Sequence, residues 1–491
     1  MPEYEVVIVG AGPAGMMLAA ELTLAGVEVV VVERRANQGL ESPRSRGLHA
    51  RTIEVLDQRG VADRFLAAGQ PMQVQAFAGI PLDISDFPTR HPYGLALMQS
   101  EFERTMADWI DELGVPVMRS RQVVAFEPTD EGVFVSLDDG MVLETEYLVG
   151  CDGSRSMVRT TAGIEFAGWD PTVCWIHSEV EVDELPPFGL RGGGGIGPAS
   201  SGRIGVTLAE ADLDRGHEPA TIDDVRAALY RVDGTDYGAR NPQFVARFTD
   251  ATRQAVDYRA GRVLLAGDAA HVHAPFGGQG LNLGVQDSVN LGWKLAQVIR
   301  GESPASLLDT YHDERHLVAA SVMANTMAQR ALQSNDERTV ALKSVVADLL
   351  GLDQARTLLA ASISGLDIRY AHEGDHPMVG RRVPDVDLAT ADGSVRVFEL
   401  LSDARPLLVD FDPASALDIT EWRQVRHVRA RFDGPWELPV VGSVAPPTAL
   451  LVRPDGHVAW VGSGSDDGLH TALATWFGGP AAPGVRRVLK R

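Results

Sequence analysis

Val6-Val7-Ile8-Val9-Gly10-Ala11-Gly12-Pro13-Ala14-Gly15, followed eighteen residues later by Glu33, opens this chain. The apolar run at 6–9 is continuous rather than alternating, the pattern of a strand buried on both faces of a parallel sheet. A helix is predicted over 13–25, where Met17, Leu18, Glu21, Leu22 and Ala25 recur at three- and four-residue spacing before Gly26 stops it. A second strand over 27–32 completes a βαβ unit of about thirty residues. In such a unit Gly10 permits the tight turn off the strand, Gly12 lets the backbone approach a pyrophosphate, and Gly15 lets the helix sit close to the sheet. The helix N-terminus, entered through Pro13 and Ala14, turns unsatisfied N–H groups toward the phosphates. Glu33 ends the second strand, where a carboxylate accepts hydrogen bonds from ribose hydroxyls. A glycine triplet alone is weak evidence; here strand, helix and downstream acid agree on dinucleotide binding.

The composition limits what else the chain can be. At 491 residues it exceeds a single typical core, so two or three domains are expected, and 45% hydrophobic with 23% charged residues is ordinary for a soluble globular enzyme. The formal net charge of −23 repels phosphate backbones and anionic lipid surfaces, which argues against nucleic acid and membrane as partners. Only Cys151 and Cys174 are present, without a C-x-x-C, so neither a disulfide framework nor a cysteine zinc site is expected, and a cytoplasmic location fits. The apolar opening is short, preceded by Glu3 and Glu5 and broken by glycines, and reads neither as a signal peptide nor as a membrane span.

Farther along, residues 72–98 and 172–250 show strand-like segments, prolines and glycine clusters with little helical period, which suggests one antiparallel sheet inserted between pieces of the nucleotide domain. The expected division is a discontinuous nucleotide domain over 1–71, 99–171 and 251–325, a substrate domain over 72–98 and 172–250, a helical linker over 326–377 that overlaps a long helical stretch at 304–359, and a third domain over 378–491. The fold class is therefore α/β, a Rossmann-like domain with an inserted antiparallel-sheet domain.

Two further segments sharpen the reading. Ala266-Gly267-Asp268 follows the apolar run Val263-Leu264-Leu265, which puts Asp268 at the carboxyl end of a strand, where open parallel sheets bind ligands. Pro275-Phe276-Gly277-Gly278-Gln279-Gly280-Leu281-Asn282 then forms a glycine loop opening a helix over 280–299, whose start would stabilise negative charge. With Cys151-Asp152-Gly153-Ser154-Arg155-Ser156-Met157-Val158-Arg159, these resemble the glycine fingerprint, Asp-Gly motif and Gly-Asp motif of class A flavin monooxygenases of the para-hydroxybenzoate hydroxylase type. The chain is similar above all to the aromatic hydroxylases of polyketide antibiotic pathways and the rifampicin monooxygenases. Leu48-His49-Ala50-Arg51-Thr52-Ile53-Glu54-Val55-Leu56-Asp57-Gln58-Arg59-Gly60 and Asn290-Leu291-Gly292-Trp293-Lys294-Leu295 carry that likeness, as does Leu451-Val452-Arg453-Pro454-Asp455-Gly456-His457-Val458-Ala459-Trp460.

The resemblance implies FAD as cofactor and NADPH or NADH as co-substrate. It puts Glu33 and Arg34 with backbone near Val123 at the adenine and ribose, and Gly10, Gly12, Pro13, Ala14, Gly15 and Arg44 at the phosphates. Arg46 competes with Arg44, and the spacing to Gly47 favours Arg44. Gln99 would lie beside the flavin, Gly267 and Asp268 at the ribityl or pyrophosphate region, and Pro275, Gly278, Gly280, Leu281 and Asn282 along the isoalloxazine edge. Asp152 and Arg159 would serve the segment shared between flavin and nicotinamide nucleotide. Phe276 departs from the family, many of whose members carry Thr there. The third domain resembles the thioredoxin-like domain of these hydroxylases but holds no cysteine, so thiol exchange is excluded and packing or dimer support is left.

The implied reaction is hydroxylation of a large aromatic substrate, a polycyclic phenol, polyketide or antibiotic, with O2 and NAD(P)H through a C4a-hydroperoxyflavin, by a monomer or homodimer. No residue dedicated to the chemical step can be named. A Baeyer–Villiger oxygenase on the same scaffold and a non-catalytic, FAD-bound ligand-sequestering protein stand as alternatives; a halogenase lacks its Trp-x-Trp-x-Ile-Pro stretch here. The plainer readings are that 192–195 is a turn between strands, since no Lys-Ser/Thr pair follows, and that His271 and His273 pack or hydrogen-bond, since no third ligand stands at metal spacing.

Overall fold

Strands buried on both faces form the centre of the molecule. Val6–Val9, Val29–Glu33, Tyr147–Gly150 and Val263–Leu265 are buried at every position. The computed structural model describes residues 4–40, 47–191, 194–199, 202–210, 212–213, 219–334, 336–371, 374–412 and 417–479. In it these strands pair in parallel, Val117–Arg119 extends one edge in parallel, and Arg259–Ala260 adds an antiparallel strand at the other. The order across the sheet is Arg259–Ala260, Val263–Leu265, Tyr147–Gly150, Val6–Val9, Val29–Glu33, Val117–Arg119. From Val6–Val9 the chain winds first to one side and later returns to the other. The carboxyl ends of Val6–Val9 and Tyr147–Gly150 therefore bound the crevice where the connections diverge, the ligand position of such sheets.

The second large sheet is antiparallel, in the order Gly189–Arg191, Gly194–Pro198, Ile204–Ala209, Cys174–Glu181, Arg240–Thr249. Strand alternation gives it two unlike faces. Ile176, Val180, Ile196, Ile204, Val206 and Leu208 pack on Val225, Ala228 and Leu229 of the helix Ile222–Asp233. The opposite face carries Trp175, His177, Thr207, Phe244 and Phe248, with Gly195, Gly197 and Gly205 between them.

The strand-like residues of 72–98 do not join this sheet, contrary to the single inserted sheet expected. Gly94–Ala96 pairs with Gly47–Leu48 and Gln70–Met72, and Ala76–Phe77 pairs with Ile80–Pro81. Local alternation specifies a strand but not its partner, and here the partners are the short strands before the helix Ala50–Gln58 and after the helix Ala62–Ala68. Residues 123–145 form a separate three-stranded meander. The helical stretch is broken into Asp309–Ala331, Glu337–Leu350 and Asp353–Ser364, because Asp336 accepts the Arg338 and Thr339 N–H groups as an N-cap and Gly351 ends the second helix. No described helix is long and apolar enough to cross a membrane.

The C-terminal part is a mixed sheet in the order Arg426–Arg429, Leu407–Asp410, Ala449–Val452, Val458–Gly462, followed by the helix Leu469–Phe477. It docks through buried charge. Arg453 binds both oxygens of Glu314 at 2.6 and 2.9 Å, Lys294 meets the same carboxylate at 2.8 Å, and Asp455 pairs with Arg453. From the opposite side Arg51 and Arg59 donate to the carbonyls of Asp455 and Pro454, each at 2.8 Å. Buried ion pairs survive only when each charge is answered this fully.

Candidate functional site

The three sequence segments meet at the carboxyl edge of the parallel sheet. Gly10 turns the chain off its strand with φ +105°, and a Cβ there would stand 2.5 Å from the Cys151 carbonyl oxygen. A Cβ on Gly15 would collide with the Gly10 carbonyl. These two glycines answer to the protein itself. Gly12 does not: its backbone is ordinary extended chain (φ −82°, ψ −177°), and a Cβ would meet no atom within 4 Å. The space beside it is left open at the start of Pro13–Leu24, a helix with no side-chain cap and no acid in its first turn, so its N–H groups are available to an anion.

Glu33 is buried at 5% exposure and braces this loop, accepting from Ala11 N at 2.7 Å and from Arg35 N at 2.8 Å. Burial alone would raise its pKa, but those two hydrogen bonds and the Arg35 guanidinium outweigh it and hold the carboxyl below its usual range. Arg35 reaches Glu33, Glu103 and the Ala11 carbonyl, whereas Arg34 is exposed to solvent. Gln38 joins Ala11 O to Glu103, Arg119 donates to Gln38, and Gln99 donates to Glu103 at 2.8 Å. Val123 is buried at the start of the next strand, where Arg121 N donates to Glu33 O. Arg44 and Arg46 lie outside the described residues.

Asp152 is engaged locally. Its carboxylate accepts from Ser156 Oγ and from the Met157 and Val158 N–H groups at the start of Met157–Thr161. Arg159 in turn donates to the Ala269 and Ser154 carbonyls and lies over the Phe166 ring. Asp152 thus caps the short helix, and Arg159 ties that helix to the Gly267–Ala269 turn. Gly267, at φ +65°, packs on Ala14, and Asp268 stands exposed, its carboxylate accepting no hydrogen bond from the described residues.

Asp287 pins that turn from below. It is fully buried and accepts from Gly267 N at 3.2 Å, His271 Nε2 at 2.6 Å and Arg315 Nε at 2.7 Å. Burial would raise its pKa, and the charges of Arg315 and His271 reverse this, leaving it lowered. Arg315 continues to Tyr370, whose ring lies 5.2 Å from the Arg453 guanidinium, so the turn is linked to the C-terminal clamp.

The glycine loop comes next. Pro275 is exposed, Gly277 and Gly278 take φ of +71° and +63°, and the helix Gln279–Ile299 begins there. Gly280 and Leu281 are half-buried. Asn282 is a tie: its amide donates to the Gly278 and Gly47 carbonyls and accepts from His49 N. The buried His49 ring bridges the Gly277 and Ile363 carbonyls, and burial lowers its pKa despite both contacts. Phe276 meets Trp175 edge-on at 6.2 Å, and Trp175 stacks on Phe248 at 5.3 Å, which brings the aromatic face of the five-stranded sheet up to the loop.

Sequence reasoning missed Arg35, Gln38, Glu103, His49, Asp287 and Arg315. Glu103 stands four residues after Gln99, and Asp287 is a lone acid in a strongly apolar helix, so each left a faint trace. The donor set fits a flavin dinucleotide: an open cradle at a helix start for pyrophosphate, a free carboxylate for hydroxyls, and an aromatic wall beyond a glycine loop for a flat ring.

Comparison with known proteins agrees. The family profile described as "FAD binding domain" matches residues 3–326, and that described as "Aromatic-ring hydroxylase, C-terminal" matches 376–480. The 12-dehydrotetracycline 5-monooxygenase/anhydrotetracycline 6-monooxygenase of Streptomyces rimosus is 42% identical, over 97% of this chain and 99% of its own. Rifampicin monooxygenase of Rhodococcus hoagii is 40% identical, over 96% and 98%. The solved structure of OxyS anhydrotetracycline hydroxylase from Streptomyces rimosus superposes with a TM-score of 0.90 at 41% identity, over 97% of this chain and all of that one.

Proposed function

The chain belongs to the FAD-dependent aromatic-ring hydroxylases, and on that premise we propose that it hydroxylates a flat polycyclic phenol of the polyketide or antibiotic class, with O2 and NADPH or NADH as co-substrates. The observation that carries the substrate class is the face of the five-stranded sheet beside the glycine loop. Trp175, Phe248 and Phe276 form an aromatic wall, and Gly195, Gly197 and Gly205 leave the adjoining surface without side chains, so a broad ring system can lie flat. His177 and Thr207, joined at 2.8 Å, supply polar atoms on the same face for a phenolic oxygen.

When bound, FAD supplies hydride acceptance from the nicotinamide and transfer of one oxygen atom from O2 to the ring. The protein's part is binding and exclusion. The N-terminus of Pro13–Leu24 takes the pyrophosphate, with Gly12 giving it room, and Glu33 with Arg35 fixes the loop at the ribose end. Asp268 is free for cofactor hydroxyls. The Phe276 loop and the aromatic wall close on the substrate and keep water from the reacting centre. The test is anaerobic reduction of the bound flavin by NADPH or NADH, with and without polycyclic phenols. Acceleration by such a ligand supports the reading. Unchanged rates across phenolic, anthraquinone, tetracycline-like and ansamycin compounds contradict it and favour a ligand-sequestering flavoprotein.

A further inference from the structure

His273 is half-buried beside the glycine loop, and one of its ring nitrogens is buried without a partner among the described residues. Its Nδ1 lies 2.8 Å from the Ala274 carbonyl, an acceptor, so Nδ1 carries the hydrogen. Its Nε2 is buried and makes no hydrogen bond to the described residues. Burial holds the imidazole below the ordinary histidine range, so Nε2 presents a lone pair. A buried acceptor without a partner calls for a donor.

The position of that lone pair says which donor. The point where a Cβ on Gly280 would sit is 3.9 Å from His273 Nε2 and 3.9 Å from Asp268 Oδ1, so the two acceptors flank the first turn of Gln279–Ile299. On one side, Gly267 packs on Ala14 in the helix turn that takes the pyrophosphate. On the other, the Phe276 loop abuts Trp175 at the isoalloxazine and substrate end. Between pyrophosphate and isoalloxazine FAD has only its ribityl chain, whose hydroxyls donate, whereas phosphate at neutral pH offers no hydrogen.

Resting on the FAD reading of this site, we propose that His273 is a cofactor-positioning residue whose Nε2 accepts a hydrogen bond from one ribityl hydroxyl of FAD, beside Asp268. Among the described residues no group of three His, Cys, Asp or Glu could hold a metal ion.

The experiment measures dissociation constants by flavin fluorescence for FAD and its 2′-, 3′- and 4′-deoxyribityl analogues, on the full-length apoprotein and on His273→Leu and His273→Gln. His273→Leu is expected to weaken FAD about five- to tenfold. One analogue loses a similar factor on the unaltered protein and nothing further on His273→Leu, while His273→Gln, with an amide oxygen as acceptor, recovers most of the affinity. Equal losses for every analogue in protein and variants overturn the assignment with the FAD site intact; absence of stoichiometric FAD binding by the unaltered protein overturns both. If His273→Leu does not fold, ¹⁵N-histidine spectra decide. The His273 Nε2 resonance moves upfield on binding FAD and fails to move with one deoxy analogue, and a resonance indifferent to FAD refutes the hydrogen bond.

Discussion

Replacing each fingerprint glycine in turn separates a cofactor cradle from a merely structural turn. Gly12→Val introduces a side chain whose Cβ meets no protein atom within 4 Å, on backbone angles that a β-branched residue adopts freely. The apoprotein is therefore expected to be unharmed, and the stiffer unfolded chain contributes about 0.4–1 kcal/mol in its favour. The same side chain enters the space assigned to the pyrophosphate. Losing two charge-assisted hydrogen bonds there, at about 1.5–3 kcal/mol each, weakens FAD by about 10²- to 10⁴-fold. Gly10→Ala and Gly15→Ala should behave in the opposite sense. Each places a methyl group against backbone, at the Cys151 and Gly10 carbonyls, and Gly10 also has a left-handed φ, so the apoprotein should lose about 1–3 kcal/mol or more before any cofactor is considered. Urea unfolding of the apoproteins and flavin absorbance after reconstitution read the two effects separately. Full flavin occupancy in Gly12→Val, or loss of apoprotein stability equal to that of Gly15→Ala, would remove Gly12 from the cofactor cradle.

Asp268→Ala should weaken FAD binding or turnover while leaving the unfolding midpoint in place, because that carboxylate is exposed and holds no described residue; unchanged affinity and rate would remove it from the site. Glu314→Gln leaves Lys294 buried without its counter-charge and Arg453 with Asp455 alone, and should cost about 3–5 kcal/mol in urea unfolding. The pH dependence at Glu314 has a definite sign. Burial would raise its pKa, but Arg453 and Lys294 hold it far below the ordinary 4.5, so its contribution is present above that value and is lost as pH falls beneath it. Acid titration of the parent protein should therefore show a stability loss below about pH 4.5 that Glu314→Gln lacks in part, and identical profiles would rule this out. Without an aromatic ligand, NAD(P)H oxidation should be slow and should release hydrogen peroxide, because an unfilled site does not exclude water; rapid oxidation independent of any ligand would indicate an oxidase.

The α/β class and the meeting of Gly10, Gly12, Gly15 and Asp268 at one sheet edge were legible because each depends on local pattern: apolar runs, glycines at turns, an acid after a strand. What escaped depends on contacts between distant residues. Two adjacent arginines follow Glu33, and only the path of the loop decides that Arg35 returns to Ala11 while Arg34 faces water. Asp152 looks like a ligand-facing acid until the short helix at 157 places two N–H groups on it. The strand at 94–96 finds its partners at 47–48 and 70–72 through tertiary packing that alternation does not encode. Arg453 and Asp455 read as a polar turn between strands, and they become a buried clamp only because a helix more than a hundred residues earlier supplies Glu314. His273 was set aside as packing, since a group whose partner is a cofactor shows no partner in the chain.

Oxygenation of a polycyclic phenol is read from product mass after aerobic turnover. Purified protein with FAD, NADPH or NADH and ¹⁸O2 is incubated with anthraquinone, tetracycline-like and ansamycin phenols and, in parallel, with para-hydroxybenzoate. At least one polycyclic compound is expected to gain a single oxygen atom derived from O2, with little conversion of para-hydroxybenzoate. Efficient conversion of para-hydroxybenzoate with every polycyclic compound recovered unchanged would contradict that expectation.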